Sequence, residues 1–245
     1  EKASPLMALA GELRRAGHFS RAWVTFKRAV EIDEGYSIFD LLDAELLFFM
    51  TTGNLTSALE TARSMMASLS PYSQFAGRHY LGLVHAIAGD DDLAAAYINA
   101  AEQQINQWLA KGSRLSVHLR HWFFASASRT ACLIGDRGTA ERRLADWRGV
   151  LLGEKKAEAG RLLNLYESEL VFGLCFGQRP NLAIDELIDS ATRSGRFRSV
   201  AGLLECSYGY ALIEGARIDD AADVGMRALR HSLRINCFIG ECTLN

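Results

Sequence analysis

Six glycines, at positions 17, 53, 89, 135, 177 and 215, constrain this chain more than any other feature. They stand 36, 36, 46, 42 and 38 residues apart. Each follows one apolar helical segment and precedes another. A helix commonly ends at a residue of positive φ, which glycine adopts without a Cβ clash. Each glycine therefore predicts the close of one helix and a tight turn into the next. A recurring period of this size is the signature of a helical solenoid.

Composition agrees with helix. Leucine and alanine dominate, only three prolines occur, and 49% of the 245 residues are apolar. That apolar content suffices for a sizeable core or for an elongated array with a continuous one. The formal net charge is −2, and neither half carries the basic excess of a nucleic-acid surface. No direct nucleic-acid binding by this segment is expected. The local arginine groups, Arg14–Arg15, Arg142–Arg143 and 193–198, read as solvated helix faces. The five cysteines are scattered and form no CxxC pair, which fits a reduced, cytoplasmic setting with thiols acting as small buried hydrophobes. The longest apolar runs, 46-LLFFM-50 and 170-LVFGLCFG-177, are too short to span a bilayer, so no membrane insertion is expected.

The opening segment 16-AGHFSRAWVTFKRAV-30 shows the pattern of small residues. Paired helices must approach to about 8–10 Å to interdigitate. Ala22 and Ala29 permit that approach, and Phe26, one turn from each, fills the space between helix pairs. Helix starts follow the same logic. Ser4-Pro5 and Ser70-Pro71 read as an N-cap followed by proline at the first helical position. Thr56 and Thr139 are placed to cap second helices. Asp90, Asp91 and Asp92 follow Gly89 at a helix start, where negative charge suits the dipole; calcium binding would need an EF-hand spacing that is absent.

These residues resemble the tetratricopeptide family, whose repeat is a helix pair of 34 residues. The first pair carries Leu6, Leu9, Ala10 and Leu13 on its A helix, Gly17 and Phe19 at the turn, and Ala22, Phe26 and Ala29 on its B helix. The third supplies Leu81, Gly82, Gly89, Ala94, Ile98 and Ala101. The fourth has Trp147 where the family prefers a small residue. The fifth needs a shift of one residue to place Ala183 and Leu187. The resemblance implies an all-α, right-handed superhelical solenoid of about six antiparallel pairs, over 4–35, 37–69, 71–110, 114–152, 158–195 and 198–233. A further helix is expected to open at 235–245, making the chain a piece of something longer. The lengthened pairs around 103–124 and 148–164 also resemble the helical sensor domains of large bacterial transcription activators of the maltose-regulator type.

No phosphate-loop, dinucleotide, zinc-protease or serine-elbow motif occurs. His118 and His121 lie three apart, a spacing that suits either a shared metal or packing beside Trp122; no third ligand is identifiable, and no metal or cofactor is expected. Asp40 and Asp43 lie one turn apart and read as a solvated or ligand-facing pair rather than as an acid–base couple. In the tetratricopeptide family ligands lie in a concave groove lined by A helices. By register the resemblance places Arg14, Arg15, Asp40, Asp43, His79, Trp122, Arg129, Asn164, Glu167 and Tyr210 there. The family's carboxylate clamp for chaperone tails is not expected, because Met7, Gly11, Asp43 and Leu47 stand at its positions. The expected role is non-enzymatic: a groove presenting side chains to a protein, a peptide or a small effector, within the sensor or interaction domain of a bacterial regulator. The alternatives are a free-standing assembly or secretion scaffold and a helical-repeat enzyme using the Asp40–Asp43 region.

Overall fold

The computed structural model describes residues 3–15, 18–32, 38–111, 117–153, 159–178, 180–194 and 197–215. Among them the fold is all-α, with eleven helices and no strand. The helices are α1 (Ala3–Arg15), α2 (Phe19–Ile32), α3 (Ile38–Thr51), α4 (Leu55–Met66), α5 (Pro71–Ala88) and α6 (Asp91–Ala110). They continue with α7 (Val117–Leu133), α8 (Arg137–Leu152), α9 (Ala159–Phe176), α10 (Ile184–Arg193) and α11 (Phe197–Ile213). None of them is long and apolar enough to cross a membrane. Gly17, residues 112–116 and 154–158, and everything from 216 on lie outside the described residues. The second helix of the sixth expected pair and the helix expected at 235–245 are therefore among what is not described.

The glycines sit where the spacing predicts. Gly53, Gly89, Gly135, Gly177 and Gly215 all have positive φ, between 68° and 83°. At four of them the next residue closes the helix in the same way. The amides of Asn54, Asp90, Asp136 and Gln178 donate to the carbonyls of Phe49, His85, Ala131 and Gly173 at 2.9, 2.9, 2.9 and 3.0 Å. That six-to-one bond satisfies a carbonyl that the helix end would otherwise leave bare.

The caps of the following helices differ from the expectation. Asn54 Oδ1 accepts from the Ser57 amide at 3.2 Å, and Asp136 Oδ1 accepts from the Thr139 amide at 3.0 Å. The capping residue is thus the Asn or Asp directly after the glycine. Thr56 is not the cap, and Thr139 is the residue whose amide is capped. An Asx side chain reaches the amide three residues on more easily than a threonine already inside the first turn. Ser70 caps α5 as expected, accepting from the Ser73 amide at 3.4 Å with Pro71 at the first helical position. Helix α1 begins at Ala3, so Ser4 and Pro5 lie within its first turn instead of marking its start.

Burial repeats with the glycines. Five residues after each of the first four stand Ala22, Ala58, Ala94 and Ala140; nine after stand Phe26, Ala62, Ile98 and Leu144; twelve after stand Ala29, Met65, Ala101 and Trp147. All twelve are buried. Spacings of four and three residues place these positions on one stripe of each second helix.

The chain divides into two compact units, Ala62–Leu182 and Glu1–Thr61 with Ala183–Asn245. In the first of these, α5 packs on α6, α7 on α8, and α7 also on α5 and α9. Two glycines make the closest approaches. A Cβ on Gly77 would lie 2.4 Å from the Met66 amide nitrogen and 2.7 Å from the Ala62 carbonyl oxygen, so the backbones of α5 and the end of α4 touch directly. At Gly82 the Ile98 side chain of α6 occupies the place of the missing methyl group. Phe75, Ile98, Ile105, Leu119 and Phe123 form the core between α5, α6 and α7, and Trp147 and Leu165 extend it between α8 and α9. Each such side chain stabilises by roughly 1.5–3 kcal/mol relative to exposure. In the other unit α1 packs on α2, α2 on α3, and α10 on α11, with Phe26 against Ala10 and Trp23 stacked on Phe48 at 4.8 Å.

Candidate functional site

Within the unit Ala62–Leu182, α7 lies between α5 and α9 and carries a polar stripe. Trp122, Ser126 and Arg129 recur at helical spacing and are partly buried. On α9, Asn164 and Ser168 stand one turn apart. Arg129 joins the two helices. Its Nη2 lies 3.0 Å from Glu167 Oε1, and its Nε donates to Ser168 Oγ at 3.2 Å. Ser168 in turn donates to the Asn164 carbonyl at 2.9 Å. Three expected residues, Arg129, Asn164 and Glu167, therefore meet in one cluster, with Ser168 as a member the sequence reading missed. Glu167 is mostly covered, while Arg129 keeps about a quarter of its side chain exposed (28%). Both Nη2 and Nε of the guanidinium are thus engaged with α9.

His79 and Trp122 also come together, with ring centroids 4.4 Å apart. Their setting is a core and not a surface. His79 is wholly buried, packed against Phe75, Tyr80 and Phe123, and neither ring nitrogen has a hydrogen-bond partner among the described residues. Burial, then the nearby Arg143 charge, lowers its pKa to about 3, so the ring is neutral. His79 offers no surface to a docking partner. Tyr210 of α11, in the other unit, is likewise buried at 4% exposure. Arg14 is partly buried on α1. Arg15, Asp40 and Asp43 lie on helices α1 and α3, but their side chains are outside the described residues.

A second polar cluster went unmarked in the sequence. Arg143 of α8 is 2% exposed. It donates to Glu102 Oε2 from Nη2 at 2.7 Å and from Nε at 3.1 Å, to Asn99 Oδ1 at 3.1 Å and to the Ala127 carbonyl at 3.0 Å. One side chain so ties α6, α7 and α8. Arg142 adds a bond to Glu102 Oε1 at 2.8 Å. Burial would raise the Glu102 pKa, but the hydrogen bonds and charges of the two arginines outweigh it and hold the carboxyl below its ordinary value. The Arg142–Arg143 pair was expected to be a solvated face; half of it is a buried brace, because helical spacing points adjacent residues in different directions.

His121 accepts a hydrogen bond at Nδ1 from the Trp147 indole at 2.7 Å, both residues being buried. The one polar group of this buried tryptophan thus has a partner. It also occupies the His121 lone pair that a metal shared with His118 would need on that nitrogen. The His118 side chain is outside the described residues. Among those described, no three His, Cys, Asp or Glu side chains gather as a metal site.

In the other unit a shallow apolar cleft of ≈ 350 Å³ is lined by Ser20, Arg21, Trp23, Val24, Thr25 and Phe48. The sequence reading did not place a site there. No family model, curated protein or solved structure matches this chain.

Proposed function

We propose that this chain is a tetratricopeptide-like scaffold, a right-handed solenoid of about six helix pairs, that binds a protein, peptide or small effector along its first helices. Its context is the sensor or interaction domain of a bacterial transcriptional regulator, acting in the cytoplasm by presentation and not by catalysis. The observation that supports the reading is the recurrence, at Gly53, Gly89 and Gly135, of one unit: a positive-φ glycine, a six-to-one closing bond, and buried residues five, nine and twelve positions later; after Gly177 those three positions are not buried. Repeated hairpins bury their apolar flanks against each other and leave one row of helices free to carry polar contacts. The α7–α9 cluster, in which Glu167 and Ser168 hold Arg129 beside Asn164, is the binding stripe of this reading. The partly exposed Arg129 and Asn164, the former held from behind by Glu167 and Ser168, suit a polar peptide or an effector carrying carboxylates.

A photo-crosslinking amino acid placed at Asn164, in cells that carry the native gene, tests this. Adducts should form there, and none should form from the same amino acid at Glu141, an exposed position on α8. Equal labelling at both positions, or none at either, refutes the scaffold. The regulator context has its own test: the full reading frame should encode a DNA-binding segment beside this chain, and a frame without one removes that context while leaving the scaffold standing.

A further inference from the structure

The cysteines hold a feature that neither the repeat nor the binding stripe uses. Cys132 lies in the last turn of α7 and Cys175 in the last turn of α9, two helices that pack side by side. Cys132 is 4% exposed, in a small cluster with Ala131 and Ala140 that Val171, Phe172 and Phe176 of α9 cover. Cys175 is exposed. Both are free thiols; Phe172 and Phe176, which cover Cys132, flank Cys175 along α9, and the two thiols interact through their side chains.

The two thiols have different chemistry. The hydrogen bond with Cys132 lowers the Cys175 pKa to about 7, against the opposing effect of burial. The same bond, with burial, pushes the Cys132 thiol up. Cys175 is thus the accessible and more acidic thiol, and Cys132 the covered thiol behind it. A thiolate at the surface, with a protonated thiol held behind it, is the arrangement that an attacking and a resolving cysteine require.

We propose that Cys132 and Cys175 form a redox-responsive dithiol, which a hydroperoxide closes into a disulfide linking α7 to α9. The Cys175 thiolate attacks the peroxide. An S–O bond forms, the O–O bond breaks, and the departing oxygen leaves as water or an alcohol after taking a proton. Cys175 is then a sulfenic acid, oxidised by two electrons. The Cys132 sulfur attacks it, the S–S bond forms, the S–O bond breaks, and hydroxide leaves as water with the Cys132 proton. Two thiols and one hydroperoxide give one disulfide, one water and one alcohol or second water. The link ties the ends of the same two helices that Arg129 and Glu167 bridge further along. This inference stands on the thiol pair alone and is independent of the scaffold reading.

The test is peptide mapping of the reduced full chain after one equivalent of hydrogen peroxide. The expected product joins the Cys132 and Cys175 peptides, lacks two hydrogens, and reverts with dithiothreitol. Cys132→Ser should stop at a Cys175 sulfenic acid captured by dimedone, and Cys175→Ser should leave Cys132 reduced. Cys132→Ala should also slow alkylation of Cys175 at neutral pH by about fivefold, since the loss of thiolate outweighs the gain in nucleophilicity. Direct oxidation of Cys175 to the sulfinic acid, a disulfide to another cysteine, or a wild-type chain left reduced overturns the proposal. Circular dichroism checks the variants, and if one fails to fold the wild-type map still decides.

Discussion

Glycine to alanine is one substitution with two opposite outcomes in the unit Ala62–Leu182. At Gly77 the added methyl group would lie 2.4 Å from the Met66 amide nitrogen and 2.8 Å from the Met66 Cα. An ordinary contact needs about 3.5 Å, so α5 and the end of α4 must part by roughly 1 Å. The opposing atoms are backbone, and no rotamer change relieves them. Overpacking of this kind costs about 1–3 kcal/mol, here towards the upper end. Better helix propensity returns about 0.8–1 kcal/mol, leaving a net loss of about 1–2 kcal/mol. At Gly149, on an exposed face of α8, nothing lies within 4 Å of the new methyl group. Gly149→Ala should therefore gain about 0.5–1 kcal/mol. Thermal unfolding followed by circular dichroism reads the pair. Their combined difference of about 1.5–3 kcal/mol corresponds to roughly 3–12 °C between the two midpoints. A Gly77→Ala protein as stable as wild type would refute the close backbone contact and the packing of α5 on α4.

Three further outcomes follow from the polar groups. His79 has a folded pKa of about 3 against an ordinary value of 6.5. Between those values the unfolded chain binds the extra proton, so the contribution is present above pH 6.5 and lost as pH falls towards 3, about 2 kcal/mol by pH 5. His79→Leu should remove that slope from urea midpoints measured between pH 7 and 5, with stability at pH 7 within about 1 kcal/mol of wild type; an unchanged slope would contradict the buried neutral ring. Arg143→Met should lower stability by about 3 kcal/mol in urea unfolding, because Glu102 and the Ala127 carbonyl lose their shared donor; a change below about 1 kcal/mol would contradict the brace. Asp136→Ala should lower stability by about 1 kcal/mol through loss of the α8 cap, and Thr139→Ala by less; the reverse order would restore Thr139 as the capping residue.

What could be read from the sequence was whatever depends on local geometry. A glycine needed at positive φ marks its place by being glycine, so the turns at 53, 89, 135, 177 and 215 were predictable one by one. Ala22, Phe26 and Ala29 announced a buried stripe because helical spacing alone puts them together. The caps were nearly legible too: Gly53-Asn54 and Gly135-Asp136 carry the signal, and the threonines two and three residues later distracted from it. What depends on contacts between distant helices was not legible. Nothing in 142-RR-143 says that one arginine points inwards to Glu102, some forty residues away in sequence. His79 shares a register with Trp122, but whether that register faces solvent or a ring of aromatics is decided by α7. The pairing of Cys132 with Cys175 needs α7 and α9 side by side, and no CxxC spacing could signal it.

The measurement that tests the account most directly is thermal unfolding of four single variants, Ala22→Arg, Ala58→Arg, Ala94→Arg and Ala140→Arg. Each changes the wholly buried alanine five residues after a glycine. One hairpin pattern repeated along the chain predicts that all four lose several degrees or fail to fold, while Leu93→Arg, at an exposed neighbour, changes little. Tolerance of arginine at any of the four, to the level seen at Leu93, would contradict the common stripe on which the repeat reading stands.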